Sequence, residues 1–119
     1  MNSQEESLKL RAEFAACQKM LTALGDETRQ QLISILIMGP CAGLRVVDIA
    51  QQTSLSRPAV SHHMQILKDA GIVVSRKEGT QVFYRFNSNR DRMEQLGRLL
   101  VHVDRLMREH AEEVACSGE

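Results

Sequence analysis

A chain of 119 residues is long enough for one hydrophobic core and too short for two, so a single domain over 1–119 is expected. Aromatic residues make up only 3% and tryptophan is absent, so aliphatic side chains must fill that core. Fifteen basic and fifteen acidic side chains cancel, and three irregularly spaced cysteines argue against a disulfide framework. No secretory signal pattern appears, and the longest apolar run, Leu32 to Met38 broken by Ser34, is far too short for a bilayer; no membrane association and a cytoplasmic location are expected.

Residues 1–6 are polar and expected to fray. Leu10, Phe14, Cys17, Leu21 and Leu24 then recur in steps of four and three, one stripe of an amphipathic helix over about 7–24 that stops near Gly25. Asp26 can cap a second helix, with Leu32, Ile33, Leu36 and Ile37 inward, before Gly39 and Pro40 end it. Arg29, near that helix start, reads as a surface or structural ion pair in preference to a ligand contact. Cys41 lies in the loop that follows.

The stretch Arg45 to Gly71 reads as two short helices around a tight turn. In the first, Val46, Val47, Ile49 and Ala50 are apolar, and Asp48 and Gln51 face water. The break falls at Thr53 to Ser56, where Ser56 can cap the second helix, and Pro58 sits where a missing amide hydrogen costs little. Val60, Met64 and Leu67 form an inward stripe with His63 packed beside it, while Arg57, Ser61, His62, Gln65 and Lys68 share the outer face. Gly71 ends the helix.

Such a pair is either a plain helical hairpin or a helix-turn-helix, whose second helix lies in the DNA major groove. The next residues favour the second reading. Ile72 to Val74 is a β-branched run, Lys77 to Thr80 a turn and Gln81 to Phe86 a strand, giving a hairpin over about 72–86 with a basic tip at Arg76 and Lys77. The fold class is mainly α (α+β), a winged helix-turn-helix of order ααααββα with the helix-turn-helix at about 45–70. Residues 56–92 hold seven basic and three acidic side chains, whereas 93–119 hold three and six. A cationic module on a neutral protein predicts local phosphate contact and marked salt dependence.

Asn87 or Ser88 can cap a last helix over about 88–114, with Asp91 in its first turn. Met93, Leu96, Leu100, Val103, Met107, His110 and Val114 form a heptad-like seam that Leu99 and Leu106 widen. The seam needs a partner surface. A second copy is expected to supply it, with Leu10, Phe14, Cys17, Leu21, Met93, Leu96, Leu100, Val103 and Met107 at a two-fold interface of terminal helices. Two recognition helices per dimer predict double-stranded DNA with an inverted-repeat operator, its half-sites about one helical turn apart.

Three segments carry a resemblance to a known family: LGDETRQQLISIL at Leu24 to Leu36, DIAQQTSLSRPAVSHHMQILKDAGIV at Asp48 to Val73, and SRKEGTQVFYRF at Ser75 to Phe86. Together they resemble, in register from about Leu21 to Phe86, the ArsR/SmtB-type bacterial repressors. The resemblance implies a winged-helix homodimer joined through its terminal helices. One departure is Ser54, where the family usually has glycine; a left-handed residue there would cost about 1 kcal/mol. The family's Cys-x-Cys metal site would fall on Arg45 and Val47, and its zinc site on Ser88, Arg90, Val101 and Asp104, so neither set is retained.

DNA contacts are therefore expected from Ser56, Arg57, Ser61, His62, Gln65 and Lys68 on the recognition helix and from Arg76, Lys77, Thr80 and Gln81 on the wing, with Arg85 bracing the sheet. Arg57 suits guanine edges and Gln65 adenine. The chain reads as a sequence-specific repressor that acts by occupying its operator, with no cofactor required. The alternative is a sensor of metal or thiol chemistry, using His102, His110 and Glu113 or Cys17, Cys41 and Cys116, with Cys41 the redox candidate. A protein-interaction module is disfavoured by the outward donors. No phosphate loop, nucleophile with base or metalloprotease spacing supports an enzyme.

Overall fold

A computed structural model of the chain describes residues 2–117, with 116 and 117 given by backbone alone, so the expectation for the Cys116 thiol lies outside the described residues. The chain divides into two compact units, one from its two ends (Met1–Gln18 and Met93–Glu119) and one from Lys19–Arg92.

In the unit of the two ends, Asn2 accepts a hydrogen bond from the Glu5 amide at 2.8 Å, and Glu5 and Glu6 complement the dipole of the first turn. The start expected to fray is therefore capped, and α1 runs over Ser3–Ala16. At Cys17 the amide is shared between the Glu13 and Phe14 carbonyls, and a separate helix α2 (Gln18–Leu24) follows. The one helix expected over 7–24 is thus two, and the apolar stripe runs through the break without marking it.

Helix α6 spans Asp91–Ser117. Asn87 accepts from the Asn89 amide and Asn89 from the Asp91 amide, each at 3.0 Å, so this two-step ladder delays the helix from the expected residue 88 to Asp91. Helices α1 and α6 lie antiparallel, clasped by polar contacts. His102 Nδ1 meets Glu13 at 2.6 Å, His102 Nε2 meets Glu6 at 3.3 Å, and Arg105 donates to Glu6 at 2.7 Å. These contacts, Arg105 foremost and His102 second, hold the Glu6 carboxyl below its ordinary pKa.

The unit of residues 19–92 contains α3 (Glu27–Met38), β1 (Leu44–Arg45), α4 (Val46–Gln51), α5 (Arg57–Asp69), β2 (Val73–Glu78) and β3 (Gln81–Phe86). Its core is Met20, Ala23, Leu32, Leu36, Ile49, Val60, Met64, Leu67, Ala70, Ile72 and Val73. Each large aliphatic side chain buried there is worth roughly 1.5–3 kcal/mol. Asp26 caps α3 by accepting from the Arg29 amide at 3.0 Å, and that bond holds its carboxyl below the ordinary value. Ile37, expected inward, is exposed together with Met38, because the last turn of α3 runs past the core that buries Leu32 and Leu36.

The sheet is antiparallel in the order β1-β3-β2, a strand more than the hairpin expected. Leu44 and Arg45 pair with Tyr84 and Phe83, and Glu78 pairs with Gln81 across a two-residue turn. Gly79, at φ +63°, opens that turn, the position a tight hairpin gives to glycine. Arg76, Lys77 and Glu78 consequently lie on β2, and the tip is Gly79–Thr80 instead of a four-residue basic turn.

Candidate nucleic-acid interface

Helix α4 starts where Asp48 folds back on the preceding residue. Its carboxylate accepts the Arg45 amide, Nε and an Nη, each at 2.9 Å. The guanidinium first, then the amide, holds the Asp48 carboxyl below the ordinary range. Asp48 therefore organises the first helix of the motif, where a plain solvent-facing residue was expected.

The turn between α4 and α5 closes through Thr53. Its hydroxyl donates to the Ala50 carbonyl at 3.3 Å and accepts from the Leu55 amide at 3.1 Å. Among the described residues no non-glycine residue has a positive φ, so the strain anticipated at Ser54 is absent. A side-chain-bridged turn does without the left-handed residue that glycine supplies elsewhere.

Helix α5 is fixed at both ends. Ser56 accepts from the Ala59 amide at 3.3 Å, and Pro58 occupies the first turn. At the other end the Ile72 amide bonds to the Leu67 carbonyl and the Gly71 amide to that of Lys68, with Gly71 at φ +81°, a Schellman ending. Asn87 reinforces it, donating from its side chain to the Gly71 carbonyl at 3.0 Å and from its amide to that of Ile72 at 2.8 Å. Arg92 lies over Gly71 and donates to the Asp69 carbonyl at 3.3 Å, a cation at a helix C-terminus.

Between these ends Val60, Met64 and Leu67 are wholly buried, and the opposite face is open. Arg57, Ser61, His62, Gln65 and Lys68 are all exposed there, as is Ser56 at the cap. His63 is half-buried, as expected, and its Nδ1 stands 3.3 Å from Arg29 Nη1. Arg29 itself is only 9% exposed and donates to the Ala23 and Thr22 carbonyls at 2.9 and 3.1 Å. It is structural, but buried where a surface pair was equally open. Its carbonyl partners and its distant histidine are invisible to local pattern.

On the wing, Lys77, Thr80 and Gln81 are exposed. Arg76 is held: its guanidinium lies 4.5 Å from the Phe83 ring centroid, pairs with Glu78 and donates to the Ala42 carbonyl at 2.9 Å. Arg85 donates to the Phe86 carbonyl at 3.4 Å.

The residues expected at a two-fold interface divide. Phe14, Met93, Leu100 and Met107 are exposed, with Leu8 and Val101 beside them in sequence. Leu10, Leu21 and Val103 are half-buried, and Cys17 and Leu96 are already buried within the single chain, as is Leu99. A groove of about 340 Å³ lined by Leu10, Val103, Leu106, Met107, His110 and Ala111 adjoins the exposed set.

Both ring nitrogens of His102 face carboxylates, and His110 and Glu113 are exposed. Among the described residues no group of three or more His, Cys, Asp or Glu is placed to hold a metal ion. Cys41 is exposed and Cys17 buried. Among the described residues no helix is long and apolar enough to cross a membrane.

A capped helix pair whose second helix turns a polar face to solvent, followed directly by a two-stranded wing, defines a winged helix-turn-helix DNA-binding protein. Residues 26–75 match the family model described as "Bacterial regulatory protein, arsR family". The chain is 39% identical over 66 residues to an uncharacterized HTH-type transcriptional regulator of Methanocaldococcus jannaschii, covering 56% of this chain and 72% of that one. It is 32% identical to the transcriptional repressor SdpR of Bacillus subtilis, covering 56% and 70%. Among solved structures it is similar to a homodimeric winged helix-turn-helix domain (fragment 1–100) of a possible ArsR-family regulator from Mycobacterium bovis, with TM-score 0.55, 27% identity and coverage of 95% and 93%. HlyU from Vibrio cholerae matches with TM-score 0.57 and 31% identity over 71% and 91%. The chain belongs to the ArsR family of transcriptional regulators, and neither its fold nor its relatives are those of an enzyme.

Proposed function

We propose that the protein is a homodimeric repressor that acts by occupying an inverted-repeat operator. The observation that carries this reading is the open outer face of α5, where Arg57, Ser61, His62, Gln65 and Lys68 stand opposite the fully buried Val60, Met64 and Leu67. Side chains there reach base edges once α5 enters the major groove, while Ser56 and the wing residues Lys77, Thr80 and Gln81 meet the backbone. The second copy covers the exposed apolar residues of the terminal helices, Phe14, Met93, Leu100 and Met107. Similarity to the homodimeric M. bovis domain supports that assembly. Repression then follows from exclusion of other proteins at the promoter and requires no bound metal or thiol step. The test is sedimentation of the purified protein alone and with a mixed-sequence duplex over a salt series. A dimer whose affinity falls steeply with salt supports the reading, and a monomer indifferent to DNA in dilute salt refutes it.

A further inference from the structure

A recognition helix reads bases only if its rotation about its own axis is fixed, because the useful side chains span a narrow arc. Apolar packing sets how deep α5 lies through Val60, Met64 and Leu67, but such contacts are non-directional and resist a small rotation weakly. A hydrogen bond is directional, and the contact Arg29 Nη1 to His63 Nδ1 at 3.3 Å spans 34 residues of sequence.

Arg29 is a rigid anchor for that bond. Nε and Nη2 are committed to the carbonyls of Ala23 and Thr22, and its amide is committed to Asp26. The remaining nitrogen of the planar guanidinium, Nη1, lies 3.9 Å from the Asp26 carboxylate and closer, at 3.3 Å, to His63 of α5. Arginine has donors only, so in this contact Nη1 donates and His63 Nδ1 accepts. His63 follows directly on His62, whose ring centroid is 5.9 Å away, and Ser61 precedes both.

We infer that Arg29 and His63, without touching DNA themselves, are positioning residues for sequence reading: their bond sets the rotation of α5 at which Ser61 and His62 meet base edges. The inference rests on the proposed operator binding. Its prediction differs from that of a merely structural contact, because misrotation removes base contacts and leaves phosphate contacts in place.

The experiment measures affinity for a selected operator and for a scrambled duplex, over a salt series, in the full-length protein. His63→Asn keeps an acceptor close to the position of Nδ1, whereas His63→Leu and His63→Gln do not. The operator-to-scrambled ratio is expected to fall about tenfold in the Leu and Gln variants, the size of one lost base contact. His63→Asn should stay within about twofold of the parent, and the salt slope should be shared by all four proteins. Circular dichroism establishes that each variant is folded, and the Gln form serves if the Leu form is not. Folded Leu or Gln variants with an undiminished ratio overturn the inference, as does an Asn variant that loses as much as they do. A parent protein with no preference between the two duplexes overturns the proposed function itself.

Discussion

Gln65 donates from Nε2 to Asp69 at 2.9 Å, one turn further along the exposed face of α5. An otherwise mobile side chain is thus held in one orientation, with its carbonyl oxygen and second amide hydrogen directed to the proposed base contact. The bond also places a carboxylate on the face proposed to enter the groove of a polyanion. Asp69→Asn retains an acceptor and removes the charge. It should tighten binding to every duplex and steepen the salt slope by about one, leaving base preference intact. Asp69→Ala should also free Gln65 and blunt preference at one position, and Gln65→Ala should cost roughly 1–3 kcal/mol of discrimination there. Competition binding on single-substituted operators reads both effects.

Two neighbouring cations of the wing should behave differently. Lys77 is exposed, whereas Arg76 is committed to Phe83, Glu78 and the Ala42 carbonyl. Lys77→Ala is expected to weaken all sequences alike and lower the salt slope by about one. Arg76→Ala should instead destabilise the fold by roughly 0.5–1 kcal/mol, the scale of an exposed cation–π contact. Urea denaturation without DNA separates them.

At the end of the recognition helix, Gly71 takes φ +81°, and a β-carbon there would lie 2.6 Å from Arg92 Cδ. Gly71→Ala should cost roughly 1–2 kcal/mol from the left-handed backbone alone, seen as a lowered urea midpoint with an unchanged m-value. Leu67→Ala, in the wholly buried stripe, should cost about 2–5 kcal/mol in the same measurement.

Much of this arrangement was legible because its causes are local. The Ser56 cap, the Val60–Met64–Leu67 stripe, the Gly71 ending and the Asp26 cap each depend on residues within a turn or two of one another. What escaped was set by distant groups or by competition between local ones. The burial of Arg29 depends on carbonyls of the preceding helix and on His63. The break at Cys17 interrupts an apolar period that continues on both sides. Ser54 suggested strain only because the hydroxyl of Thr53, which closes the turn, carries no mark in the pattern. The basic tip assigned to the wing moved onto β2 because pairing continues to Glu78 and Gln81.

Acid should loosen both units. Asp48, Asp26 and Glu6 each have a pKa lowered in the folded chain, by Arg45, by the Arg29 amide and by Arg105 respectively. The folded form therefore binds protons less readily than the unfolded one at these sites. Their stabilisation is complete above the ordinary carboxylate range, about pH 4, and is lost as pH falls through the depressed folded values. Asp48→Asn should be less stable than the parent at neutral pH and show a shallower loss below about pH 4. Thermal melts from pH 7 to pH 2.5 check the sign.

The central claim is that the open face of α5 reads base edges, twice per dimer. Its most direct measurement is selection of bound sequences from a pool of random duplexes, repeated with Arg57→Ala. The account predicts enrichment of an inverted repeat with half-sites about one helical turn apart, and loss of preference at one symmetric pair of positions in the variant. Enrichment of no sequence, or a preference that Arg57→Ala and Gln65→Ala leave unchanged, would contradict it.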